Sequence, residues 1–590
     1  MDPRLDGLLL TVQKPGRYVG GEWNSIKKDW TPERVKVLLA FPDVYEVGMS
    51  NLGISILYGI LNGRDDCLCE RSFAPWQDFE KVLRENNIPL FSLESRKAIR
   101  EFDIVGFSVC HELCHTNILN MLDLGGVPVR SCERSENDPL VIAGGPAVYN
   151  PEPIAEFIDA FVIGEAEEAV GEIVDACKGR NPRSAFSRRD ILKKLAAIPG
   201  VYVPVFYNVK YKEDNTINSF LPLDDGIPAV IEKRIVKDLD GAYYPTKQIV
   251  PNIGVVHDRI AIEIMRGCKH MCRFCQATVT YRPCRERSRE NILRLARESY
   301  KNTGHDEISM LSLSSVDFSD IRQMMEDMNR EFSPKHVSIS VPSLRVEEAL
   351  KDLPELISKV KKSGLTFAPE AGSDGLRRSI NKNIDIARLS NACLESFKSG
   401  WRRVKLYFMI GLPRETDKDV ELIPVLLKEI SSLRKDIDGK LADVTASINA
   451  FVPKPHTAFQ WEPMDSMDDL ERKRIMLRSA VKSRFIELDF HSFKMSYIEA
   501  ALARGDRRLG SVIYNAWKSG GRFDGWEDFF SIERWKDSFS QNGLDPDFYA
   551  RRQRPFDEIL PWDFIHTGLD RKVIEREALA SKTSSFDKPC

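Results

Sequence analysis

The sequence lacks the features of a membrane, secreted or fibrous protein. No apolar run reaches the roughly 18 to 20 residues that a membrane-spanning helix needs. The first residues, MDPRLDGLLLTVQ, carry two aspartates and only three adjacent leucines, which is unlike a secretory signal. Hydrophobic residues make up 42% of the chain and charged residues 29%, so a disordered chain is excluded. These absences predict a cytoplasmic globular protein with no membrane contact.

The sequence also lacks an excess of positive charge and has few cysteines, and both facts restrict the class of protein. Lys and Arg number 85 against 88 Asp and Glu, a net charge of −3, so the surface as a whole is not the basic one of many nucleic-acid-binding proteins. Twelve cysteines in 590 residues are too few for a disulfide scaffold. A tight group of cysteines therefore indicates a metal site rather than cross-links.

The alternation of apolar runs with helical patterns predicts an α/β protein of five segments. Residues 1–34 form a polar lead-in, and 35–180 carry the repeated strand and helix pattern of a doubly wound parallel sheet. Residues 181–255 form a bridging segment. In 256–470, six strands alternate with helices, which predicts a partial or full (β/α) barrel with its chemistry at the carboxyl ends of the strands. Residues 471–590 are predicted to be mainly helical.

One group of cysteines has metal-binding spacing. Cys268, Cys272 and Cys275 form C-x-x-x-C-x-x-C directly after the first predicted strand of the barrel segment. The residues alone leave three interpretations open. They are a zinc site, an iron–sulfur cluster completed by a fourth thiolate, for which Cys284 is the nearest candidate, and a cluster with one open iron.

The cysteine spacing, with Phe274 before the last cysteine, resembles the signature of radical S-adenosylmethionine enzymes. In that family three cysteines hold a 4Fe–4S cluster, and the unliganded iron binds the amino and carboxylate groups of S-adenosylmethionine. The resemblance implies that an electron from the reduced cluster cleaves this cofactor to methionine and a 5′-deoxyadenosyl radical.

The resemblance continues along the predicted strand ends, in the methylthiotransferase-like and Elongator-like branch of the family. The matching stretches are YRPCRERSRENI, APEAGSDGLRRSINKN, KLYFMIGLPRETDKD and NAFVPKPHTAFQW. The match implies that Glu370 contacts the ribose or methionine part of the cofactor. It also implies that Gly411 and Pro413 let the backbone approach the adenosine, and that Val452 and Pro453 pack on the adenine.

The second strand end departs from the family pattern. Many members carry Gly-Gly-Glu there, to bind the methionine amino group, whereas this chain has Leu-Ser-Leu-Ser-Ser at 311–315. The Ser314 hydroxyl or backbone carbonyls are then left to make that contact. Taken singly, each strand-end residue also fits ordinary turn or capping chemistry.

The predicted N-terminal sheet resembles the cobalamin-binding domain that is fused to many of these enzymes. Gly144 and Gly145 end one strand and Gly164 ends another, and glycine allows a corrin face or nucleotide tail to approach the backbone. The Asp-x-His-x-x-Gly pattern of a histidine lower ligand is absent. The resemblance therefore implies cobalamin bound without that histidine, or a fold that no longer binds it. The motif CHELCH at 110–115 is interpreted as a helix start, with a second metal site as the alternative.

The order of segments most closely resembles an uncharacterised bacterial radical S-adenosylmethionine family. It implies an enzyme that modifies an unidentified substrate (RNA, protein or small molecule), by methylation if cobalamin binds. An electron donor and a partner protein are the implied partners, and no catalytic residue stands out. The alternative is a nucleic-acid-binding protein with a structural iron–sulfur cluster. Its support is a set of arginines: Arg282, Arg285, Arg287, Arg289, Arg551, Arg552 and Arg554.

Overall fold

The computed structural model describes residues 4–179, 187–341 and 365–583. Its strands are β1 Val35–Phe41, β2 Cys67–Phe73, β3 Ile104–Ser108, β4 Leu140–Gly144, β5 Ala160–Val162, β6 Val201–Tyr202, β7 Tyr207–Tyr211, β8 Ile217–Pro222, β9 Ile231–Glu232, β10 Ile260–Glu263, β11 Met265–Arg266, β12 Arg285–Glu286, β13 Glu307–Leu311, β14 Ser338–Ser340, β15 Leu365–Glu370, β16 Arg403–Ile410, β17 Asp443–Ala450, β18 Ile486–Phe490 and β19 Ile565–His566.

The α-helices of the same residues are α1 Leu5–Leu9, α2 Tyr45–Gly48, α3 Leu52–Asn62, α4 Gln77–Glu85, α5 His115–Leu124, α6 Ala169–Cys177, α7 Arg188–Ala196, α8 Ala277–Thr280, α9 Arg289–Thr303, α10 Ile321–Phe332, α11 Asp374–Ser379, α12 Ile386–Lys398, α13 Asp417–Ser432, α14 Lys435–Asp438, α15 Met467–Ala480, α16 Phe493–Ala503, α17 Leu509–Lys518, α18 Ile532–Gln541, α19 Pro546–Ala550 and α20 Arg571–Thr583. Among the described helices, none combines the length and apolarity needed to cross a bilayer.

The N-terminal sheet has the predicted parallel, helix-covered form. Its strand order is β2-β1-β3-β4-β5-β6, with β1 to β5 parallel and β6 antiparallel at the edge. Helix α3 packs beside α6 and α4 packs beside α5. Because the connections reverse direction between β1 and β3, the carboxyl ends of these two strands form the crevice where such sheets bind ligands.

The second predicted sheet divides into two parallel sheets in the structure. One has the order β10-β13-β14 and the other β15-β16-β17-β18. Six of these strands match the six predicted ones. The seventh, β18, was missed because the chain after residue 470 was expected to be mainly helical. In β18 buried and more exposed positions alternate, as is usual for a strand at the edge of a sheet.

The C-terminal helices pack onto the N-terminal sheet as well as onto the second one. Helix α17 packs against α5, Thr116 donates a hydrogen bond to Asp524 at 2.8 Å, and Trp526 donates to Asp43 at 3.0 Å. Buried side chains of the N-terminal sheet, the four-stranded sheet and these helices form one continuous hydrophobic cluster. The segment limits drawn from the sequence therefore stay predictions.

Candidate functional site

The cysteine loop lies at the carboxyl ends of the strands, where the sequence placed it. It follows β11, and Phe274 inside it packs on a small apolar cluster that contains Ala371, Leu412 and Phe451. Ala371 and Phe451 come directly after β15 and β17, and Leu412 lies two residues after the end of β16. One aromatic side chain therefore joins the cysteine loop to three strand ends of the four-stranded sheet.

Three hydrogen bonds to backbone carbonyls fix the cysteine loop against the end of α11. The Arg273 amide donates to the Ile380 carbonyl at 3.0 Å, its guanidinium donates to the Ser379 carbonyl at 2.8 Å, and the Asn381 amide group donates to the Met271 carbonyl at 2.8 Å. At the start of the loop Gly267 has φ +92°, and a Cβ there would lie 2.6 Å from the Tyr281 carbonyl oxygen. Only glycine fits this position.

The three thiols differ in exposure. Cys272 is buried, whereas Cys268 and Cys275 are half-buried, and burial raises the pKa of Cys275. No three His, Cys, Asp or Glu side chains converge on one ion position within 4–179, 187–341 and 365–583. A 4Fe–4S cluster needs no such convergence because each thiolate binds a different iron. The donor set of three sulfurs on one loop suits that cluster.

Cys284 lies close to the loop but on a separate segment. A Cβ added to Gly267 would lie 2.9 Å from the Cys284 Cα, and the Cys284 side chain packs on the core of the three-stranded sheet. Burial raises its pKa. A fourth thiolate from Cys284 stays an untested alternative.

The predicted strand-end residues differ in how the structure accounts for them. Glu370 has φ +69°, an uncommon backbone state for a residue other than glycine, and its carboxylate lies 3.2 Å from the Lys382 ammonium. Gly411 has φ +79°, and a Cβ there would lie 3.1 Å from Asp465. The Gly411 amide donates to Glu415 at 3.1 Å, so packing against the segment before α15 already explains this glycine.

The remaining cofactor candidates lie nearby. Pro413 is half-buried in the loop between β16 and α13, and Val452 and Pro453 follow β17. The Phe451 amide donates to the Ile410 carbonyl at 2.8 Å, which holds these two strand ends together. The predicted contacts of Pro413, Val452 and Pro453 with an adenosine stay predictions.

Ser314 follows β13, beside the cysteine loop. Its side chain is 0% exposed, and its hydroxyl forms no hydrogen bond with any described residue. The loop that contains it is tied to the cysteine loop, because the His270 ring lies 2.9 Å from the Asp317 carboxylate and Lys269 donates to the Asp317 carbonyl at 2.7 Å. A buried hydroxyl without a partner is costly, which makes Ser314 a candidate ligand contact.

A cavity of about 680 Å³ lies between the N-terminal sheet and helices α3 and α6. Its wall is mainly apolar, and it reaches from the inner sheet face, at Val37 and Gly106, to the strand ends and the cysteine loop, at Gly144 and Gly267. This volume is within the usual range for small-molecule sites. The sequence predicts glycines at these strand ends, whereas the cavity itself forms only in the tertiary structure.

The three predicted rim glycines all line the cavity. Gly145 has φ +114° and Gly164 has φ +104°, and a Cβ at these positions would lie 2.6 Å from the Val109 carbonyl oxygen and 2.3 Å from the Arg234 carbonyl oxygen. Close backbone packing therefore requires both. Gly144 has only ordinary contacts for a Cβ, so its lack of a side chain leaves space rather than relieving strain.

Charged residues that the sequence analysis did not select as site residues join the cavity rim to the cysteine loop. Arg266 pairs with Glu167 at 2.7 Å, with Glu165 at 3.2 Å and with Glu263 at 2.9 Å, and Arg285 pairs with Glu165 at 2.5 Å. Burial alone would raise the pKa of Glu165, but the Arg285 hydrogen bond and the two arginine charges hold it below its usual value. The signal in the sequence for this network was an arginine two residues before the first cysteine of the motif.

The CHELCH motif forms a helix start, as interpreted. Cys114 donates to the His111 carbonyl at 2.9 Å, and helix α5 begins at His115, whose pKa is lowered to about 3 by burial. Glu112 instead pairs with Lys454 at 2.7 Å. Within the described residues, the side chains of this motif do not form a group of three metal ligands around one ion position.

Four of the arginines that supported nucleic-acid binding are buried or paired with a carboxylate. Arg287 is 2% exposed and Arg554 is 4% exposed, and Arg552 pairs with Glu558 at 2.6 Å. Arg551 pairs with Asp547 at 3.0 Å. Side chains that are buried or neutralised in this way do not form a phosphate-binding surface, so this alternative is not favoured.

Comparisons with protein families agree with this arrangement. Residues 262–423 match the model of the Radical SAM superfamily, where SAM is S-adenosylmethionine. Residues 53–204 match the model described as "Radical SAM proteins, N-terminal". The first match contains the cysteine loop and the second contains most of the cavity wall.

Two curated relatives come from Methanocaldococcus jannaschii. "Uncharacterized protein MJ0966" is 27% identical over 485 residues, which cover 81% of this chain and 90% of that protein. "Putative methylthiotransferase MJ0865" is 22% identical over 336 residues, which cover 54% of this chain and 62% of that protein. Both likenesses extend beyond the cysteine loop.

Solved structures with a similar course of the chain include two enzymes. The methyltransferase TsrM from Kitasatospora setae, solved with cobalamin and a 4Fe–4S cluster, has a TM-score of 0.47 and 13% identity and covers 72% of this chain and 75% of its own. The cobalamin-dependent enzyme OxsB, solved with aqua-cobalamin, has a TM-score of 0.46 and 13% identity over 87% of this chain and 72% of its own.

Proposed function

We propose that this chain, a radical S-adenosylmethionine enzyme, carries a corrinoid in its N-terminal cavity and transfers a methyl group to an unactivated carbon of its substrate. The observation that carries the proposal is the cavity itself. It is apolar, it opens at the strand ends of the N-terminal sheet, and Gly267 at the start of the cysteine loop belongs to its wall. A ligand in the cavity would therefore lie directly beside the cysteine loop.

The cysteine loop supplies the cluster ligands. Cys268, Cys272 and Cys275 are the three thiolates, and the packing of Phe274 on the strand ends fixes the loop that carries them. When bound, a 4Fe–4S cluster supplies the electron that cleaves S-adenosylmethionine to methionine and a 5′-deoxyadenosyl radical. Glu370 and Ser314 are the proposed contacts for the ribose or methionine part and for the amino group.

The cavity suits the apolar part of a corrinoid better than a polar substrate. Leu39, Ile104 and Ile142 line its depth, and the rim glycine Gly144 leaves space where the strands end. Burying an apolar ring in such a cavity is favourable by about 25 cal/mol per Å² of surface. TsrM and OxsB are solved with cobalamin bound. The support in this chain is its own cavity.

The assigned cluster ligands can be tested in an anaerobic preparation. The protein is reconstituted with iron and sulfide, reduced with S-adenosylmethionine present, and assayed for 5′-deoxyadenosine. Cys272→Ala should abolish both iron binding and 5′-deoxyadenosine formation, whereas Cys393→Ala, a buried thiol in α12 far along the chain from the loop, should retain both. Unchanged cofactor cleavage in Cys272→Ala would contradict the assigned ligands.

The corrinoid is tested by filling the cavity. Gly106 lines it, and a Cβ there meets only Leu39 at 3.6 Å and the Leu38 carbonyl at 3.8 Å, so Gly106→Leu adds bulk to the cavity without a backbone clash. Hydroxocobalamin binding, followed by its visible spectrum, should be lost in Gly106→Leu and retained in Gly226→Leu, at an exposed glycine with no neighbour within 4 Å. Equal binding by both variants would refute the cavity as the site.

A further inference from the structure

The segment of chain that carries the cysteines is held at its entrance by the N-terminal domain. Arg266 is two residues before Cys268, and its guanidinium pairs with Glu167 at 2.7 Å and with Glu165 at 3.2 Å, both on the loop after β5. The side chains of Arg266 and Glu165 are 8% and 7% exposed. Screening by solvent is weak at this burial, so the pairing fixes the geometry more firmly than a surface ion pair does.

The segment is held at its exit as well. Helix α8 follows Cys275, and its last carbonyls accept hydrogen bonds from two other segments. Lys233, just after β9, donates to the Val279 carbonyl at 2.8 Å, and Tyr149, after β4, donates to the Thr280 carbonyl at 3.0 Å. A cation at the carboxyl end of a helix is electrostatically favourable. Both ends of the cysteine segment are thus held by residues that lie outside the three-stranded and four-stranded sheets.

The residues that hold the start of the cysteine segment also form part of the cavity wall. Glu165, Glu167, Glu263, Arg266 and Gly267 all line it. A ligand that fills the cavity therefore contacts the ion pairs that hold the entrance of the cysteine loop. Such a shared element is what couples two binding sites thermodynamically.

We propose that Arg266 is a positioning residue that couples the two sites: through Glu167 and Glu165 it fixes the cysteine loop on the cavity rim, so that a filled cavity strengthens cluster retention. The identity of the cavity ligand as a corrinoid rests on the proposed function. The attachment of the loop by Arg266 does not, because the ion pairs exist without a ligand.

The attachment is tested by a double-mutant cycle on iron release. Reconstituted wild type, Glu167→Gln, Arg266→Gln and the double variant are mixed anaerobically with a colorimetric iron chelator. Each single variant should release iron faster than wild type, Glu167→Gln by about tenfold. The double variant should be no faster than Arg266→Gln, because the ion pair that Glu167→Gln breaks is already broken in Arg266→Gln. Glu172→Gln is the control, since Glu172 pairs with Arg234 at 2.8 Å and is outside the cavity wall.

Two outcomes of this cycle would overturn the attachment. One is wild-type iron release in Glu167→Gln, and the other is effects that simply add in the double variant. Arg266→Lys, which keeps the charge, should restore part of the wild-type rate, and it serves as the second arginine variant if Arg266→Gln folds poorly.

The coupling is tested by adding hydroxocobalamin to the reconstituted holoprotein. It should slow iron release by wild type by about fivefold or more, a typical coupling between sites, and this effect should disappear in Glu167→Gln. Because coupling is reciprocal in binding free energy, the cluster-free Cys272→Ala protein should bind hydroxocobalamin more weakly than reconstituted wild type. If wild type binds hydroxocobalamin with no change in iron release, the coupling is wrong. If it binds none, the corrinoid assignment and the coupling both fail, and the iron-release cycle alone decides the attachment.

Discussion

Gly145→Ala should be one of the most damaging single substitutions in the N-terminal sheet. The residue has φ +114°, a backbone state that L side chains rarely adopt, and the new Cβ would lie 2.6 Å from the Val109 carbonyl oxygen and 3.1 Å from its nitrogen. Strain of this kind costs about 1–3 kcal/mol, and forcing atoms into a packed core costs about as much again. We therefore expect a loss of about 3 kcal/mol or more.

The adjacent glycine provides the matched comparison. Gly144→Ala would place its Cβ 3.7 Å from the Val162 carbonyl oxygen, an ordinary contact, and its φ is not in the left-handed region. Thermal unfolding should show a fall in Tm of about 2–3 °C or more for Gly145→Ala, because a cooperative unit of 590 residues has an unfolding entropy of about 1.2 kcal/mol/K. Gly144→Ala should cause a smaller change. If the two variants melt together, the close backbone approach at Gly145 is wrong. If Gly144→Ala is stable but binds hydroxocobalamin weakly, the open side of this glycine is part of the cavity's function.

Two further predictions concern buried polar groups near the strand ends. Burial lowers the pKa of His456 to about 4, against about 6.5 in the unfolded chain, so its neutral ring stabilises the fold above pH 6.5 and this contribution is lost as the pH falls towards 4. The loss at pH 5 is about 2 kcal/mol. His456→Asn, which tolerates the φ of +63°, should flatten the dependence of Tm on pH between 7 and 5; an unchanged slope would contradict the assignment. Ser314→Ala removes a buried hydroxyl that bonds to no described residue, so the stability should stay equal or rise by about 1 kcal/mol. S-adenosylmethionine affinity, measured by calorimetry on the reconstituted protein, should fall severalfold, and a fall in stability instead would show that the hydroxyl serves the fold.

The sequence predicted the strands well where burial is simple. Six parallel strands of the second segment were recognised because each is a short apolar run between helical patterns, such as Arg403–Ile410. Strand β18 was missed, since Ile486–Phe490 alternates charged and apolar residues at an edge and follows a helix. Its pairing with β17 depends on a neighbour far away in sequence, which local patterns do not record.

The candidate site shows the same division at the level of single residues. The three cysteines and Phe274 were predicted as site residues because their spacing is itself the signal. Arg266 was missed because nothing local distinguishes an arginine that pairs with Glu167, 99 positions earlier, from one that faces solvent. The arginines that supported the nucleic-acid alternative could not be placed from the sequence for the same reason, and only the structure shows that Arg287 is buried.

The sequence by itself determined three cysteines on one loop, glycines at the strand ends, and the alternation that builds parallel sheets. These are local properties, set by side-chain type and by the periods of strands and helices. Only the tertiary structure decided that the N-terminal sheet encloses an apolar cavity and that its rim is bound to the cysteine loop through Arg266. Both depend on long-range packing, because residues far apart in sequence come into contact only when folding removes their surfaces from water.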